Sequence, residues 1–201
     1  MIAATCLKTL KINETTLHVN NIGSPETRTQ YEELLKKYFT QNISSLSSLS
    51  KKRLETNPIR ILDSKEKEDL SIIKNAPIIK ELLTDSEKED FNMLLSNLDT
   101  LNVKYEESPY LVRGLDYYNG TTFEITTRSN KSQNALCGGG RYDFLVEQMG
   151  GPSTPAIGFA AGMERMIIES QYQVEKNSID IYISSNAVSY THLTLPTTYE
   201  V

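Results

Sequence analysis

The chain has 201 residues, of which 38% are hydrophobic and 23% charged, so it can bury a sizeable core. No apolar run approaches the roughly 18 residues of a membrane-spanning helix, and the N-terminus lacks the features of a secretory signal. Two cysteines exclude a disulfide scaffold, and two histidines in dissimilar contexts argue against a histidine-based metal or triad site. A net charge of −5 argues against indiscriminate binding to nucleic-acid backbones. Composition therefore predicts a soluble cytoplasmic protein.

The first part of the chain is predicted to be a strand followed by helices. Residues 16–22 alternate between apolar and polar positions, which predicts a strand. Ser24 and Pro25 favour the start of a helix, since serine caps and proline fits the first helical position. Apolar residues then recur at helical spacing at Tyr31, Leu34, Leu35, Tyr38 and Phe39.

Two further helices are predicted before residue 104. The shorter one lies around Leu70 and ends near Ala76 and Pro77. The longer one begins at about Asp85, where acidic residues suit the positive end of the helix dipole. Its apolar stripe comprises Phe91, Leu94, Leu95, Leu98 and Leu101. Residues 24–104 are therefore predicted to form a compact helical subdomain.

The pattern changes at about residue 105, where aromatic and β-branched residues become frequent. Asn119 and Gly120 are the preferred residues of a two-residue hairpin turn, because both tolerate positive φ. We expect strands at 111–118, 121–127, 136–140 and 179–183, and helices at 141–149 and 157–170. Helices inserted into and packed beside an antiparallel sheet give an α+β fold.

The first chemically suggestive segment is LVRGLDYY, which contains Arg113, Asp116, Tyr117 and Tyr118. An arginine fork matches a carboxylate or phosphate at two points, and phenolic hydroxyls can hold a polar ligand. A surface ion pair beside core tyrosines explains this segment equally well when it is considered alone.

The second segment is CGGGRYD, in which Gly138, Gly139 and Gly140 follow a predicted strand and precede Tyr142. Glycines let the backbone lie directly against a ligand, although three glycines alone favour a loose turn. The Lys-Ser/Thr pair that completes a phosphate-binding P-loop is missing.

The third segment is GFAAGMER, in which Gly158 and Gly162 lie one turn apart on the predicted helix. Arg165 follows three residues after Gly162 and is expected to project near the same face. That arginine could reach the phosphates of a nucleotide, whereas tight helix–sheet packing explains the glycines but not the arginine.

Together the three segments resemble histidyl-tRNA synthetases. LVRGLDYY and CGGGRYD are similar to the two histidine signatures of that family, and GFAAGMER resembles its class II motif 3. The helical region resembles the family's insertion domain, and the resemblance covers roughly residues 12–185. It implies part of a class II antiparallel-sheet catalytic domain in residues 1–23 and 105–173, a helical insertion in 24–104, and the start of an anticodon-binding domain in 174–201.

The resemblance also implies roles for the site residues. Arg113 would contact the histidine carboxylate and the α-phosphate while histidyl-adenylate forms. Histidine would be bound by Tyr117, Tyr118, Gly138, Gly139, Gly140 and Tyr142. ATP would be bound by Gly158, Gly162 and Arg165, with Arg165 on the γ-phosphate. Magnesium would accompany the ATP, without a convincing all-protein ligand set in this sequence. Arg113, Tyr142 and Arg165 are therefore expected around one cavity.

The partners implied by the resemblance are histidine, ATP, tRNA(His) and, for the full-length enzyme, a second copy of itself; no membrane is implied. The insertion would bind the tRNA acceptor arm, with candidate phosphate contacts at Lys36, Lys37, Lys51, Lys52 and Arg53. Any one of these side chains is more often only a solvated charge.

The sequence also departs from the family pattern. Nothing before residue 12 resembles motif 1 or motif 2, and the tail from Val188 to Leu195 resembles translated sequencing-adapter DNA. We therefore interpret the chain as a middle piece of a longer ligase, with little or no activity alone. The main alternative is a regulatory subunit of ATP phosphoribosyltransferase, which shares the fold and senses histidine. A helical interaction module without a ligand would explain residues 24–104 alone.

Overall fold

The computed structural model describes residues 1–114, 117–128 and 134–172. Its helices are α1 (Ile2–Thr9), α2 (Pro25–Gln41), α3 (Ser48–Thr56), α4 (Lys67–Ile73), α5 (Asp85–Thr100), α6 (Leu145–Gln148) and α7 (Met163–Glu169). Its strands are β1 (Thr15–Asn21), β2 (Tyr105–Glu107), β3 (Asn119–Thr127), β4 (Ala135–Arg141) and β5 (Ile157–Ala161). Short 3-10 helices occupy Ile43–Ser45, Pro58–Ile61 and Ile79–Glu81.

The strands form one sheet in the order β2-β1-β3-β4-β5. β1 and β2 are parallel, and the other neighbouring pairs are antiparallel. The parallel pair needs a long crossover, which α2 to α5 supply, because parallel strands cannot be joined by a tight turn. The α+β class predicted from the sequence is confirmed.

The two faces of the sheet differ in chemistry, since neighbouring side chains along a strand point to opposite faces. Residues directly opposite each other across strands share a face, and one such row is Val19, Phe123, Gly139 and Phe159. This row is apolar. A core beside α1 is formed by Ala3, Leu7, Ile12, Ile125, Leu136 and Cys137. The opposite face has rows that contain Asn20, Thr122 and Glu124, and it is polar.

The helical region between β1 and β2 has a core of its own. Tyr31, Leu35 and Phe39 of α2 are at most 1% exposed, which confirms the apolar stripe predicted for this helix. Ser24 caps α2 by accepting a hydrogen bond from the Thr27 backbone N–H at 3.3 Å. This core extends to Tyr118, and Tyr117 and Tyr142 pack against it. The helical region therefore lies beside the predicted tyrosines of the site.

Glu87 ties the beginnings of α2 and α5 together. Its carboxylate completes a capping box with Thr84 and also accepts the Ser24 backbone N–H at 2.6 Å. Burial, the largest influence, opposes ionisation of Glu87, but hydrogen bonds from Thr84 and Ser24 outweigh it and lower the pKa. Both long helices are thus fixed at their N-termini by one ionised carboxylate.

Three secondary-structure predictions for the second half are wrong. Residues 111–114 are not a strand, and Asn119 and Gly120 begin β3 rather than forming a hairpin turn. Ile22 N donates to Gly120 O, and Gly120 N to Gly23 O, each at 2.8 Å, so this backbone pairs with the chain leaving β1. The missing strand has a physical reason, because the carbonyls of Pro109 and Leu111 are held by the Asn20 side chain.

The predicted helix at 157–170 is a strand followed by a helix. Residues Ile157–Ala161 pair with β4, and Gly162 is the N-cap of α7. A short run of small and apolar residues fits either element, and the glycine-rich β4 offers a neighbour that a backbone can approach closely. The helix predicted at 141–149 is confined to Leu145–Gln148. The strand predicted at 179–183 and the tail lie outside the described residues.

None of the described helices is long and apolar enough to cross a membrane.

Candidate active site

Arg113 lies directly on the sheet, above Gly138 of β4. Its Nη1 donates to Glu124 Oε2 at 2.8 Å, and 23% of the arginine side chain is exposed. A Cβ atom at Gly138 would lie 2.7 Å from Arg113 Cζ, closer than any side chain tolerates. Glycine is therefore required at this position if the guanidinium is to occupy its place.

The loop that carries Arg113 is held by Asn20 of β1. The Asn20 amide donates to Pro109 O at 3.2 Å and to Leu111 O at 3.0 Å. The Asn20 side chain is buried, so these hydrogen bonds are shielded from competing water. The fold thereby fixes the backbone two residues before Arg113.

The three predicted tyrosines form one cluster. The ring centroids of Tyr117 and Tyr118 are 4.6 Å apart, and that of Tyr142 lies 5.8 Å from Tyr117 and 6.2 Å from Tyr118. Burial, and then the hydrogen bond and charge of Tyr117, raise the pKa of the Tyr118 hydroxyl, while the Arg113 guanidinium acts in the opposite direction. The Tyr118 phenol is therefore neutral and close to the arginine.

Each of these polar groups covers a glycine on the same face of the sheet. A Cβ at Gly140 would lie 3.0 Å from Tyr118 Cδ1, and one at Gly158 would lie 2.5 Å from the Tyr142 hydroxyl. Gly140 and Gly158 are opposite each other in the β4–β5 register. Gly138 lies two residues before Gly140 in β4 and therefore on the same face. Because Gly138, Gly140 and Gly158 have no side chains, the exposed backbone of β4 and β5 forms the floor beneath the arginine and the tyrosines.

Gly139 belongs to the other face of β4. A Cβ there would lie 2.6 Å from Phe159 Cβ, so its absence allows β4 and β5 to pack closely. Of the three glycines predicted to line the histidine pocket, Gly138 faces Arg113, Gly140 faces Tyr118, and Gly139 lies on the other face.

Tyr142 is held in place through its neighbour Asp143. The Asp143 carboxylate accepts hydrogen bonds from Asn119 at 3.2 Å and from the Ala156 backbone at 3.0 Å, and it pairs with Arg141. Burial, the largest influence, opposes ionisation of Asp143, but Arg141, Asn119 and Ala156 together lower its pKa. An ionised Asp143 therefore joins β3, β4 and the start of β5 beside the tyrosine cluster.

Arg165 and Gly162 lie at the opposite end of β4. Arg165 Nη1 donates to Ala135 O at 2.8 Å, and Gly162 N donates to Leu136 O at 2.9 Å. Ala135 is three residues from Gly138, which is roughly 10 Å along a strand. The structure therefore groups Gly158 with the tyrosines and leaves Gly162 and Arg165 apart from them.

The cavities near these residues are separate. Arg113 lines a small cavity of about 10 Å³ together with Asn20 and Arg28, which is room for roughly one water. Tyr117 and Tyr118 line a cavity of about 330 Å³, and Gly158 borders an apolar one of about 580 Å³. None of these three cavities is lined by Arg113, Tyr142 and Arg165 together.

Sequence reasoning missed two residues of this arrangement, Asn20 and Glu124. Each is a polar residue within a strand pattern, and the register places both on the polar face. The alternation of polar and apolar residues along these strands was the signal in the sequence. Polar residues in such a pattern, however, more often face solvent than form a binding site. Among the described residues, no group of three or more histidine, cysteine, aspartate or glutamate side chains is arranged to hold a metal ion.

Comparison with known proteins identifies relatives for most of the chain. A family model described as Histidyl-tRNA synthetase matches residues 5–166. A chloroplastic histidine–tRNA ligase from Gracilaria tenuistipitata var. liui is 44% identical over 185 residues, which cover 91% of this chain and 44% of the relative. A histidine–tRNA ligase from Streptococcus thermophilus is 44% identical over 180 residues, covering 88% of this chain and 42% of the relative. The chain thus spans less than half the length of these relatives.

Solved structures show the same similarity. Apo histidyl-tRNA synthetase from S. aureus matches with a TM-score of 0.61 and 34% identity, covering 83% of this chain and 40% of that one. A protein from Bacillus halodurans C described as an ATP phosphoribosyltransferase regulatory subunit/histidyl-tRNA synthetase matches with a TM-score of 0.53. It is 19% identical and covers 85% of this chain and 48% of that one, so it shows the fold alone. The ligases are therefore favoured over the regulatory subunit.

Proposed function

Because the chain belongs to the histidyl-tRNA synthetase family, we propose that it functions as part of a longer histidine–tRNA ligase. This enzyme activates histidine with ATP to give histidyl-adenylate and then transfers the histidyl group to tRNA(His). The 201-residue chain alone forms little or no histidyl-tRNA under this proposal, because it spans less than half the length of the ligases it matches.

The observation that carries the proposal is the guanidinium of Arg113 seated on Gly138 beside the tyrosines. Negative charge develops on the phosphoryl oxygens when the carboxylate of histidine attacks the α-phosphate of ATP. A cation already in position stabilises that charge without reorganising during the reaction. Arg113 is therefore assigned as the catalytic residue.

The histidine side chain is assigned to the tyrosine cluster. A phenolic hydroxyl can exchange a hydrogen bond with an imidazole nitrogen, and an amino acid without such a nitrogen would leave the hydroxyl unpaired. Tyr117, Tyr118 and Tyr142 would supply these contacts, and the backbone of Gly138, Gly139 and Gly140 would form the floor. Such a pocket discriminates against apolar amino acids by the penalty for an unpaired buried group.

ATP is assigned to the region along β4 and β5 between the tyrosines and α7. Gly158 and Gly162 would let the adenosine approach the backbone, and Arg165 would contact the γ-phosphate. Magnesium would accompany the ATP phosphates and neutralise part of their charge, and we assign it no protein ligands.

The remaining assignments concern the larger assembly. Residues 24–104 would act as an insertion that binds the acceptor arm of tRNA, for which Lys36, Lys37, Lys51 and Lys52 are exposed candidates. Residues 1–23 and 105–173 would belong to a class II catalytic domain, and 174–201 would begin the anticodon-binding domain. The longer enzyme would be a cytoplasmic homodimer.

The proposal is tested by replacing Arg113 in the longer ligase. The variant Arg113→Ala should slow histidine-dependent ATP–pyrophosphate exchange by about 100- to 1,000-fold, because one preorganised donor to the transition state is lost. Arg128→Ala is the matched control, since Arg128 is an exposed arginine at the far end of the same sheet. Near-normal exchange by folded Arg113→Ala would remove Arg113 from the catalytic role.

A further inference from the structure

The partner of Arg113 is built into the centre of the sheet. Glu124 lies within β3 directly opposite Gly138 of β4, so its carboxylate lies on the face where the guanidinium rests. The distance from Arg113 Nη1 to Glu124 Oε2 is 2.8 Å, and only 26% of the glutamate side chain is exposed. Partial burial makes such a charge-assisted hydrogen bond stronger and more rigid than a surface ion pair.

The surroundings of Arg113 explain why a carboxylate is needed. Arg28 of α2 borders the same cavity of about 10 Å³ as Arg113, and its own carboxylate partner is Glu32, with 3.4 Å between Arg28 Nε and Glu32 Oε1. The Nε of Arg113 is buried and has no hydrogen-bond partner among the described residues. Within the described part of the chain, Glu124 is therefore the carboxylate partner of Arg113, and together with the Tyr118 hydroxyl it restricts a guanidinium whose Nε is unpartnered.

We propose that Glu124 is a positioning residue for Arg113, holding its guanidinium on Gly138 in the orientation that meets the reacting anionic group. This inference rests on the proposed function, since it assumes that Arg113 acts in adenylate formation. Arginine has a long, flexible side chain. Glu124 restricts it by a hydrogen bond to the guanidinium, and the backbone at Gly138 restricts it by direct contact. The Arg113 side chain therefore loses its conformational entropy when the protein folds and not when substrates bind.

The kinetic test uses Glu124→Gln in the longer ligase. Glutamine preserves the shape of the side chain but removes the charge, so the hydrogen bond to Arg113 is weakened while the packing of β3 is kept. The maximal rate of histidine-dependent ATP–pyrophosphate exchange should fall by about 10- to 100-fold, as expected for a catalytic group displaced by about 1 Å. Glu107→Gln is the matched control, because it breaks a 2.9 Å pair with Lys80 elsewhere in the sheet, and it should change the rate by less than about twofold.

A double-mutant cycle separates positioning from stability. If Glu124 acts through Arg113, the substitution Glu124→Gln should add little to the defect of Arg113→Ala. Independent effects that multiply, or a rate for Glu124→Gln equal to that of Glu107→Gln, would overturn the inference. A severe defect in Arg113→Ala alone leaves the proposed function intact in that case, whereas near-normal exchange by Arg113→Ala overturns both.

A second measurement does not depend on activity. In the 201-residue chain, the side-chain NMR signals of Arg113 should show slow rotation of the guanidinium in the wild type and faster rotation in Glu124→Gln. Glu107→Gln should leave these signals unchanged. Equal rotation in the wild type and Glu124→Gln would contradict the positioning role directly.

Discussion

At the scale of single residues, the site depends on glycines, which have no Cβ atom and leave space above the sheet. Arg113, Tyr118 and Tyr142 can lie against the sheet because Gly138, Gly140 and Gly158 have no side chains there (the last two being opposite each other). The motifs in the sequence identified these residues, but the sequence could not show which glycine lies beneath which side chain. That assignment follows from the strand register, which depends on contacts between distant segments.

Gly138 gives the sharpest test at this scale. Gly138→Ala should displace the Arg113 guanidinium and change its NMR signals in the 201-residue chain, with little change in the free energy of unfolding, because the overlapped group is the end of a flexible side chain and can move. Gly114→Ala is the control, since a Cβ there has only Arg60 Nη2 nearby, at 3.8 Å. The side-chain NMR spectra of both variants measure the difference. Unchanged Arg113 signals in Gly138→Ala would show that the guanidinium does not rest on Gly138.

At the scale of elements, periodicity predicted the long helices correctly and failed for short segments. α2 and α5 each contain at least 16 residues and an N-terminal cap, so their local signals agree. The stripe predicted to be buried on α5 is buried only at Phe91, and Leu101 at its end is 51% exposed. Residues 157–161 offer no such length, and their small apolar residues suit a helix or a strand. Pairing with the neighbouring strand β4 makes this segment a strand, and a local sequence pattern does not contain that contact.

The beginnings of α3 and α4 meet at a buried aspartate. Asp69 is 0% exposed and accepts hydrogen bonds from the Ser47 backbone N–H and hydroxyl, each at 2.8 Å, and from the Ser50 hydroxyl at 2.6 Å. Ser64 donates to the same carboxylate. Burial is the largest influence and opposes ionisation, but the four hydrogen bonds outweigh it and lower the pKa. An ionised carboxylate therefore ties the beginnings of α3 and α4 together, and its hydrogen-bond donors among the described residues are serines and not cations.

This arrangement predicts a pH dependence of stability. Because the pKa of Asp69 is lower in the folded state than in the unfolded state, its contribution is complete above about pH 5 and is lost as the pH falls through the folded pKa. Asp69→Asn should lower the free energy of unfolding by about 1.5–3 kcal/mol at pH 7 and by progressively less in acid. Asp90→Asn, at an exposed position of α5, is the control. A pH-independent difference between Asp69→Asn and the wild type would contradict this account.

At the scale of the whole molecule, the fold joins residues that are far apart in sequence on one face of one sheet. Asn20 from β1, Arg113 from the loop before β3 and Tyr142 after β4 meet there, and the inserted helices pack against the tyrosines. The family resemblance predicts which residues form the site, and the structure places Arg113, the three tyrosines, Gly138, Gly140 and Gly158 on one face of the sheet. The resemblance did not predict that Arg165 would lie at the other end of β4, since the motif was assigned to a single helix.

The separation of Arg113 and Arg165 also bears on how the site works. A ligand that reaches both must extend along β4, over roughly three residues of strand. An adenylate with its departing pyrophosphate has that extended character, whereas free histidine does not. Under the proposed function, this separation suits two substrates bound along β4.

The most direct test is a crystal structure of the longer ligase with histidine and a non-hydrolysable ATP analogue. The account predicts that a nitrogen of Arg113 lies within about 3 Å of an oxygen of the histidine carboxylate or of the α-phosphate. It also predicts that the imidazole lies against Tyr118 and Tyr142. Substrates bound elsewhere, with neither Arg113 nor the tyrosines in contact, would contradict it.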